Sequence, residues 1–209
     1  MRIFNKKRKT EPKFSIDYLG SSIFCIEGLT QYEVERLFQI DNEEFKPVKE
    51  SIKFLFPENN WDEKNDNTQL RIIISPNCNG WVFVKCQLNE FKDIKNIISN
   101  LISKTDKKIN YYYVDSHIDY YSWILSKNGK IEREFIYSMG QVTNSKGQVT
   151  CETEQKFENK SEQVFGEDVY EEIAKINGAS LSILNENLDE IGDFIIGTFN
   201  NNALQQNIK

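Results

Sequence analysis

Five alternating side chains near the middle of the sequence have types and a spacing that could do chemistry: Asp115, His117, Asp119, Tyr121 and Trp123. On a single β-strand, side chains two residues apart lie on one face at intervals of about 6.5–7 Å. An Asp-x-His-x-Asp pattern offers oxygen and nitrogen donors, which suit a metal ion or an acid–base pair. Along a strand these side chains run parallel without converging, and the chain has one histidine. The pattern therefore predicts a polar and aromatic stripe that binds a partner protein. The alternative is a metal-dependent hydrolase or other small-molecule enzyme that uses Asp115, His117 and Asp119.

No other motif for catalysis or for a cofactor is present in the sequence. The dinucleotide-binding, P-loop, zinc-protease and nucleophile-elbow patterns (G-x-G-x-x-G, G-x-x-x-x-G-K-[ST], H-E-x-x-H and G-x-S-x-G) are all absent. The four cysteines form no C-x-x-C pair, and we interpret them as reduced thiols: Cys25, Cys78, Cys86 and Cys151. We therefore expect a protein that is not an enzyme and that has no catalytic residue, no metal site and no cofactor.

The net charge of −6 is unevenly distributed along the chain. Residues 1–14 carry +5, whereas the segment from Cys151 to the end carries −8. An acidic C-terminal third repels phosphates, and aspartates interrupt the tyrosines that could otherwise stack nucleic-acid bases. We therefore expect no nucleic-acid binding and a protein partner with a basic surface, which contacts either the acidic third or the Tyr/Trp strand. A solvated surface without a partner is the simpler interpretation of the same charges.

The composition is that of a folded chain, with 14 Phe, 9 Tyr and 3 Trp but only 4 Pro and 10 Gly. We expect a flexible basic N-terminus over 1–13, one α+β domain over 14–199 and a flexible tail over 200–209. No signal-peptide core follows the basic start, and no window reaches the roughly 18–20 apolar residues of a membrane span. The sequence therefore predicts a cytoplasmic protein with no membrane contact. A nucleic-acid arm or a membrane patch is the alternative interpretation of residues 1–13.

The stripe needs a strand to position it, and Tyr111 to Leu125 have the polar and aromatic alternation of an antiparallel strand. An Asn-Gly turn and a return strand follow. This pairing would place Arg133 opposite the stripe, where it would form an ion pair with Asp119 or Asp115.

The remaining periodicities predict an α+β fold, a largely antiparallel sheet with about three helices packed on it. The helices are predicted from a capping box at Thr30, from an apolar stripe over 90–104 and from Glu167 to Ile176. The other predicted elements are a hairpin of Leu70–Ile74 and Trp81–Cys86, a strand at Ser51–Phe56, a loop at Glu58–Thr68, a turn over Gly140–Gly147, a strand at Gln148–Glu152, a polar linker over 153–165, and an edge strand or short helix at Phe194–Phe199.

About half of the sequence, from Gly80 to Ser182, resembles a diffuse group of uncharacterised bacterial proteins. The residues that carry the resemblance are the string from Tyr113 to Trp123 with its Tyr-x-x-Trp ending, then Gly129, Arg133, Phe135, Tyr137 and Gly140. In that group an Asn-Gly turn joins the first strand to an Arg-x-Phe-x-Tyr strand, and a helix follows. The group has no catalytic residues to carry over. The resemblance implies an orphan partner of a polymorphic toxin locus, that is, an immunity protein.

These observations lead to one hypothesis for the function, while the oligomeric state stays open. We expect a non-enzymatic cytosolic inhibitor of the immunity type that neutralises a cognate bacterial toxin, with a basic toxin domain as the partner. Interface hot spots favour Trp and Tyr inside a polar rim. The residues predicted to bind the partner are therefore aromatic anchors and the polar groups around them: Trp61, Asp62, Asp115, His117, Asp119, Tyr121 and Trp123.

Overall fold

A computed structural model describes residues 22–55, 69–86, 91–115, 118–160, 166–177 and 191–200 of the chain. In these residues nine strands form one sheet, and five helices pack on it. The elements in chain order are β1 (Ser22–Glu27), α1 (Gln31–Phe38), β2 (Asp41–Lys46), α2 (Val48–Leu55), β3 (Gln69–Ile74), β4 (Trp81–Cys86), α3 (Phe91–Lys104), β5 (Ile109–Asp115), β6 (Tyr120–Lys127), β7 (Lys130–Ser138), β8 (Gln141–Gly147), α4 (Glu152–Asn159), α5 (Gly166–Ile176) and β9 (Phe194–Asn200). The strand order is β2-β9-β3-β4-β1-β5-β6-β7-β8, and all neighbouring strands are antiparallel.

The sheet is the middle layer of three, because both of its faces are apolar. Along β4, Val82 and Val84 face one side, whereas Trp81 and Phe83 face the other, as the two-residue period of a strand requires. Helices α1 and α3 cover the Val82 side, and α2, α4 and α5 cover the Trp81 side. Burial of both faces stabilises the fold by roughly 25 cal/mol for each Å² of apolar area removed from water.

Several predicted elements are confirmed. The α+β class and the largely antiparallel sheet are as expected. The capping box starts α1, with the Glu33 carboxylate accepting from the backbone N–H of Thr30 at 2.7 Å. The predicted hairpin is formed by β3 and β4, the Asn-Gly turn joins β6 to β7, and α3 and α5 lie where the sequence places them.

The expected number of about three helices is wrong, since the described residues contain five. One of the additional helices, α2, occupies the described part of the stretch predicted as a strand at Ser51–Phe56. Its buried side chains repeat at the three- and four-residue spacing of a helix: Val48, Ser51, Ile52 and Leu55. None of the five described helices is long and apolar enough to cross a membrane.

The other additional helix, α4, lies in the stretch predicted as a polar linker over 153–165. Its buried side chains are Glu154 and Phe157, so the helix has no apolar stripe that the sequence could show. The predicted turn over Gly140–Gly147 is wrong in the same region, because Gln141–Gly147 form β8 with mostly exposed polar side chains and only Gly140 lies in a turn. The strand predicted at Gln148–Glu152 is not formed.

The single strand predicted over Tyr111–Leu125 is also wrong. The chain forms two antiparallel strands there, β5 and β6, with Asp115 opposite Tyr120. Asp119 lies in the turn between them with a φ of +51°. No glycine, proline or Asn-Gly pair marks this turn, and Asp is one of the few non-glycine residues that tolerate such a φ. The five residues of the predicted stripe therefore do not share one strand face.

The outer strands of the described sheet are β2 and β8. The segment at Phe194–Phe199, predicted as an edge strand or a short helix, is β9, an inner strand between β2 and β3. The side chains of β2 are exposed from Asp41 to Phe45, and most are charged. Charged side chains on an outer strand oppose unwanted pairing with other chains.

Candidate functional site

The structure separates the residues predicted to bind a partner. Trp61, Asp62 and His117 lie outside the described residues. Asp115 ends β5, and Asp119 lies in the turn that leads into β6, so both aspartates are at the same end of the sheet. Of the predicted binding residues, the two aspartates at this end of the sheet are therefore the polar ones whose position the structure describes.

Tyr121 and Trp123 are buried in the core on β6, so they are not the surface anchors that the sequence predicted. The indole of Trp123 stacks on Phe135 with the ring centroids 4.2 Å apart and an interplanar angle of 13°. Its Nε1 donates to Oε1 of Glu154 at 2.7 Å, and Nε of Arg133 donates to the same oxygen at 2.9 Å. Trp123 therefore belongs to a buried polar network that the sequence did not indicate.

The network ties α4 to the strands beneath it. The second carboxylate oxygen of Glu154 accepts two hydrogen bonds from Thr150, from its backbone N at 2.6 Å and from Oγ1 at 2.7 Å. Arg133 donates to Oγ of Ser145 at 2.9 Å and to Oε2 of Glu158 at 3.4 Å. The ion pair predicted between Arg133 and an aspartate of the stripe is therefore replaced by pairs with two glutamates of α4. Because Arg133 and Glu154 are both buried, this network supports a surface and does not form one.

Two turns meet at the end of the sheet that carries the aspartates, and we call four of their described residues the hairpin tip: Ile118, Asp119, Met139 and Gly140. The backbone N–H of Met139 donates to the carbonyl of Asp119 at 3.0 Å, and that of Gly140 donates to Oδ2 of Asp119 at 3.0 Å. Nζ of Lys160 donates to the carbonyl of Gly140. Ile118 is 53% exposed and Met139 is 80% exposed. The two turns therefore support each other and present two apolar side chains to solvent.

Met139 occupies a backbone position that its residue type disfavours. Its φ is +50° and that of Gly140 is +81°, and Ser138 pairs with Gln141, which defines a two-residue type I′ turn. Asn, Asp and Gly are preferred there, and another L-residue costs about 1–2 kcal/mol. Packing offsets little of this cost, because the side chain is mostly exposed. The turn needs this conformation but favours another residue type, so an exposed methionine at this position is a candidate for function.

Tyrosine side chains line the sheet behind the hairpin tip. Tyr113 and Tyr120 pack edge to face with their centroids 5.3 Å apart, and Tyr121 lies 6.0 Å from Tyr137. Burial raises the pKa of Tyr120, and burial followed by the charge of Asp119 raises the pKa of Tyr137. These two hydroxyls therefore stay protonated at neutral pH and can donate hydrogen bonds.

Three of the four cysteines have thiols whose pKa is raised, so these three are not activated nucleophiles. All four lie in the described residues, none is in a disulfide, and three are buried. Burial raises the pKa of Cys25 far above its usual range and that of Cys78 to about 11, and burial is also the first cause of the raised pKa of Cys151. Thiols that hold their proton at neutral pH are poor nucleophiles and poor metal ligands.

No three side chains of His, Cys, Asp or Glu come together as a metal-binding group in the part of the chain that the structure describes. His117 is outside that part, so the metal-dependent alternative at Asp115, His117 and Asp119 stays a prediction. No protein-family model, no curated protein and no solved structure matches the chain. The resemblance to immunity proteins of toxin systems therefore also stays a prediction.

Proposed function

We propose that this chain is a non-enzymatic protein-binding protein, and more narrowly an immunity-type inhibitor that acts in the cytoplasm and neutralises a toxin by covering it. The observation that carries the proposal is the hairpin tip, where Ile118 and Met139 expose apolar side chains from two mutually supporting turns. Met139 does so in a conformation that methionine disfavours. Contact with another protein is the simplest way to offset both costs.

The surroundings of the hairpin tip suit a basic protein surface. Asp119 is part of the hairpin tip and Asp115 ends β5 opposite Tyr120, so two acidic residues lie at this end of the sheet. Methionine is unbranched and polarizable, so it fills an irregular pocket well. The buried pair of Arg133 and Glu154 holds α4 and the strands behind the tip in one arrangement. A surface that is already ordered loses little entropy when it binds.

A binding experiment with matched variants tests the proposal. The product of the neighbouring gene is purified as the candidate partner and titrated against the full chain by calorimetry. We expect Met139→Asn and Ile118→Asn each to weaken binding by about tenfold, the loss of a modest hot spot. Ile176→Asn is the control, because Ile176 is 54% exposed beside Asn177, which accepts from Lys108 at the opposite end of β5. This control should bind as the wild type does.

Met139→Asn has a second expected effect, on stability. Asn-Gly is the favoured pair of a type I′ turn, so the free energy of unfolding should rise by about 1 kcal/mol. A variant that is more stable but binds less well separates a role in the contact from a role in the fold. Unchanged affinity in both tip variants would remove the hairpin tip from the proposal. The function itself fails if no protein partner binds and the purified chain shows turnover, or if it holds a stoichiometric metal ion that His117→Ala loses.

A further inference from the structure

The sheet edge farthest from β8 carries an exposed pair of aromatic rings. Tyr32 of α1 is 57% exposed and Phe45 of β2 is 45% exposed. Their ring centroids lie 5.9 Å apart at an interplanar angle of 54°. Two large rings that touch each other and still face solvent are more typical of a binding surface than of a solvated one.

A pair of carboxyl groups lies beside the pair of rings. Glu35 follows Tyr32 by three residues on the same side of α1. Glu43 precedes Phe45 by two residues in β2, in the stretch where the register of the strand shifts. Burial, followed by the neighbouring carboxyl group of Glu43, raises the pKa of Glu35, so the two carboxyl groups lie close together. We call these four side chains the aromatic edge. Its rings and its carboxyl groups both bridge α1 and β2.

The aromatic edge lies in a negative field. Residues 31–46 carry five acidic and two basic side chains. Both basic groups already have contacts: Lys46 pairs with Glu44 at 3.1 Å, and Nε of Arg36, whose charge acts on Glu33 and Glu35, donates to the carbonyl of Tyr32 at 3.3 Å. This edge therefore attracts cationic groups and repels phosphates and acidic proteins.

A second copy of this chain does not suit the aromatic edge. On one side β2 pairs with β9, and no strand among the described elements pairs with its other side. Two copies joined through β2 would bring together two strands that each carry three acidic side chains and one basic side chain. The register of β2 also shifts between Asp41 and Glu44, where Asn42 has a φ of +55°, and such an irregularity opposes strand addition. An occupant must therefore be basic and must contact side chains.

We infer that the aromatic edge binds an arginine- or lysine-containing segment of a protein partner. The cationic group lies over a ring face of Tyr32 or Phe45, and Glu35 and Glu43 accept its hydrogen bonds. The cation also relieves the contact between the two carboxyl groups. The inference shares with the proposed function only that the partner is a protein. The hairpin tip is at the other side of the sheet, so an experiment can rule out one of the two binding surfaces without ruling out the other.

A labelled peptide tests the inference without knowledge of the natural partner. The probe is a fluorescein-labelled peptide of alternating Arg and Ser, and its control has citrulline at each Arg, which keeps the shape but removes the charge. The full chain is titrated at an ionic strength of about 0.1 M, where the screening length is about 10 Å, and again at higher salt; anisotropy reports binding. We expect the wild type to bind the arginine peptide at least about tenfold more tightly than the citrulline peptide, and the difference to shrink as salt screens the charges.

Two double variants locate the site. Tyr32→Ala with Phe45→Ala removes both rings, and Glu35→Gln with Glu43→Gln removes both charges while keeping the side-chain shape. Each should weaken binding of the arginine peptide by about five- to tenfold. Circular dichroism checks that the variants are folded. If Tyr32→Ala with Phe45→Ala does not fold, Phe45→Ser alone tests the role of the rings.

The matched control is Glu171→Gln with Glu172→Gln, which removes the same charge from α5. Its affinity for the arginine peptide should change by less than about twofold, because charges this far from the site are largely screened. Equal weakening in the control would mean that the peptide senses net charge only, and would overturn the inference. Wild-type affinity in the ring variants, or equal affinity of the wild type for both peptides, would overturn it as well.

Discussion

Arg133 and Glu154 form a buried ion pair at 2.9 Å, and its energetic value depends on the contacts around it. Removing two charges from water costs several kcal/mol per ion, which their attraction offsets only when the remaining donors and acceptors are satisfied. Each oxygen of Glu154 accepts two hydrogen bonds, one oxygen from Trp123 and Arg133 and the other from Thr150. The pair therefore specifies where α4 sits more than it adds to net stability.

Loss of one partner should be far more costly than the net value of the pair. Glu154→Ala leaves the Arg133 charge buried with less compensation, and we expect the free energy of unfolding to fall by about 3–5 kcal/mol. Glu152→Ala, on the same helix, is the control, because Glu152 is exposed and pairs with Lys156 at 3.1 Å on the surface. It should cost about 0.5 kcal/mol or less. Urea unfolding measures both, and similar losses in the two variants would contradict the assigned role of the network.

At the scale of elements, the end of β8 depends on a close approach between two backbones. Gly147 has a φ of +87°, and a Cβ there would overlap the carbonyl oxygen of Glu132. Gly80 has nearly the same φ, +88°, but a Cβ there would meet no atom within 4 Å. The two glycines therefore share the conformational requirement and differ in the steric one.

Alanine at each glycine should separate the two requirements. Gly80→Ala should lower the free energy of unfolding by about 1–2 kcal/mol, the cost of a positive φ for an L-residue. Gly147→Ala should lose a further 1–3 kcal/mol or so, because the neighbouring strand must move. Thermal or chemical unfolding of the pair measures the difference. Equal losses would mean that β8 shifts at no cost and is held weakly at this end.

Elements with a regular apolar stripe are predictable from this sequence, and elements held by polar contacts are not. α1, α3 and α5 show the helical period and their ends are signalled locally. α4 depends on Glu154, and a polar residue in a polar segment gives no sign that it is buried. In α2, the alternation of Ile52, Phe54 and Phe56 imitates a strand although the buried positions follow a helix.

The candidate surfaces were less predictable than the fold, because they depend on elements that are distant in sequence. Asp115 and Asp119 lie at the same end of the sheet, but the prediction of one binding stripe that also includes Trp123 assumes a single strand where the chain makes a hairpin. The exposure of Met139 was not predictable, because nothing in the sequence distinguishes its two-residue turn from the residues around it. In the sequence, Tyr32 is one position of an amphipathic helix, and only the fold brings Phe45 of β2 beside it.

At the scale of the whole molecule, the three-layer arrangement buries both faces of β4 along its full length, and one of the buried side chains is Lys85. By strand alternation Lys85 shares the face of Trp81 and Phe83, which α2, α4 and α5 cover. Burial lowers its pKa to about 7. The same lysine in the unfolded chain has a pKa of about 10.4, so stability is linked to pH through this group.

The stability of the protein should therefore rise as the pH increases through neutrality. Between about pH 7 and 10.4 the unfolded chain binds more protons at Lys85 than the folded chain does, which raises the free energy of unfolding by up to about 1.4 kcal/mol per pH unit. Below about pH 7 Lys85 is protonated in both the folded and the unfolded chain, and its full destabilising effect on the fold is present. From pH 6.5 to 8.5 we expect a gain of about 2 kcal/mol from this group in urea unfolding.

Lys85→Met should remove this gain and should be more stable than the wild type at pH 6.5, because it has no buried group to protonate there. Lys53→Met, on the exposed side of α2, is the control and should keep the wild-type slope. The comparison stops at pH 8.5, because the raised pKa of the Cys25 thiol makes stability fall with pH above that point. If the free energy of unfolding of Lys85→Met still rises with pH, other groups cause the rise. Lys85 would then reach solvent when it is charged.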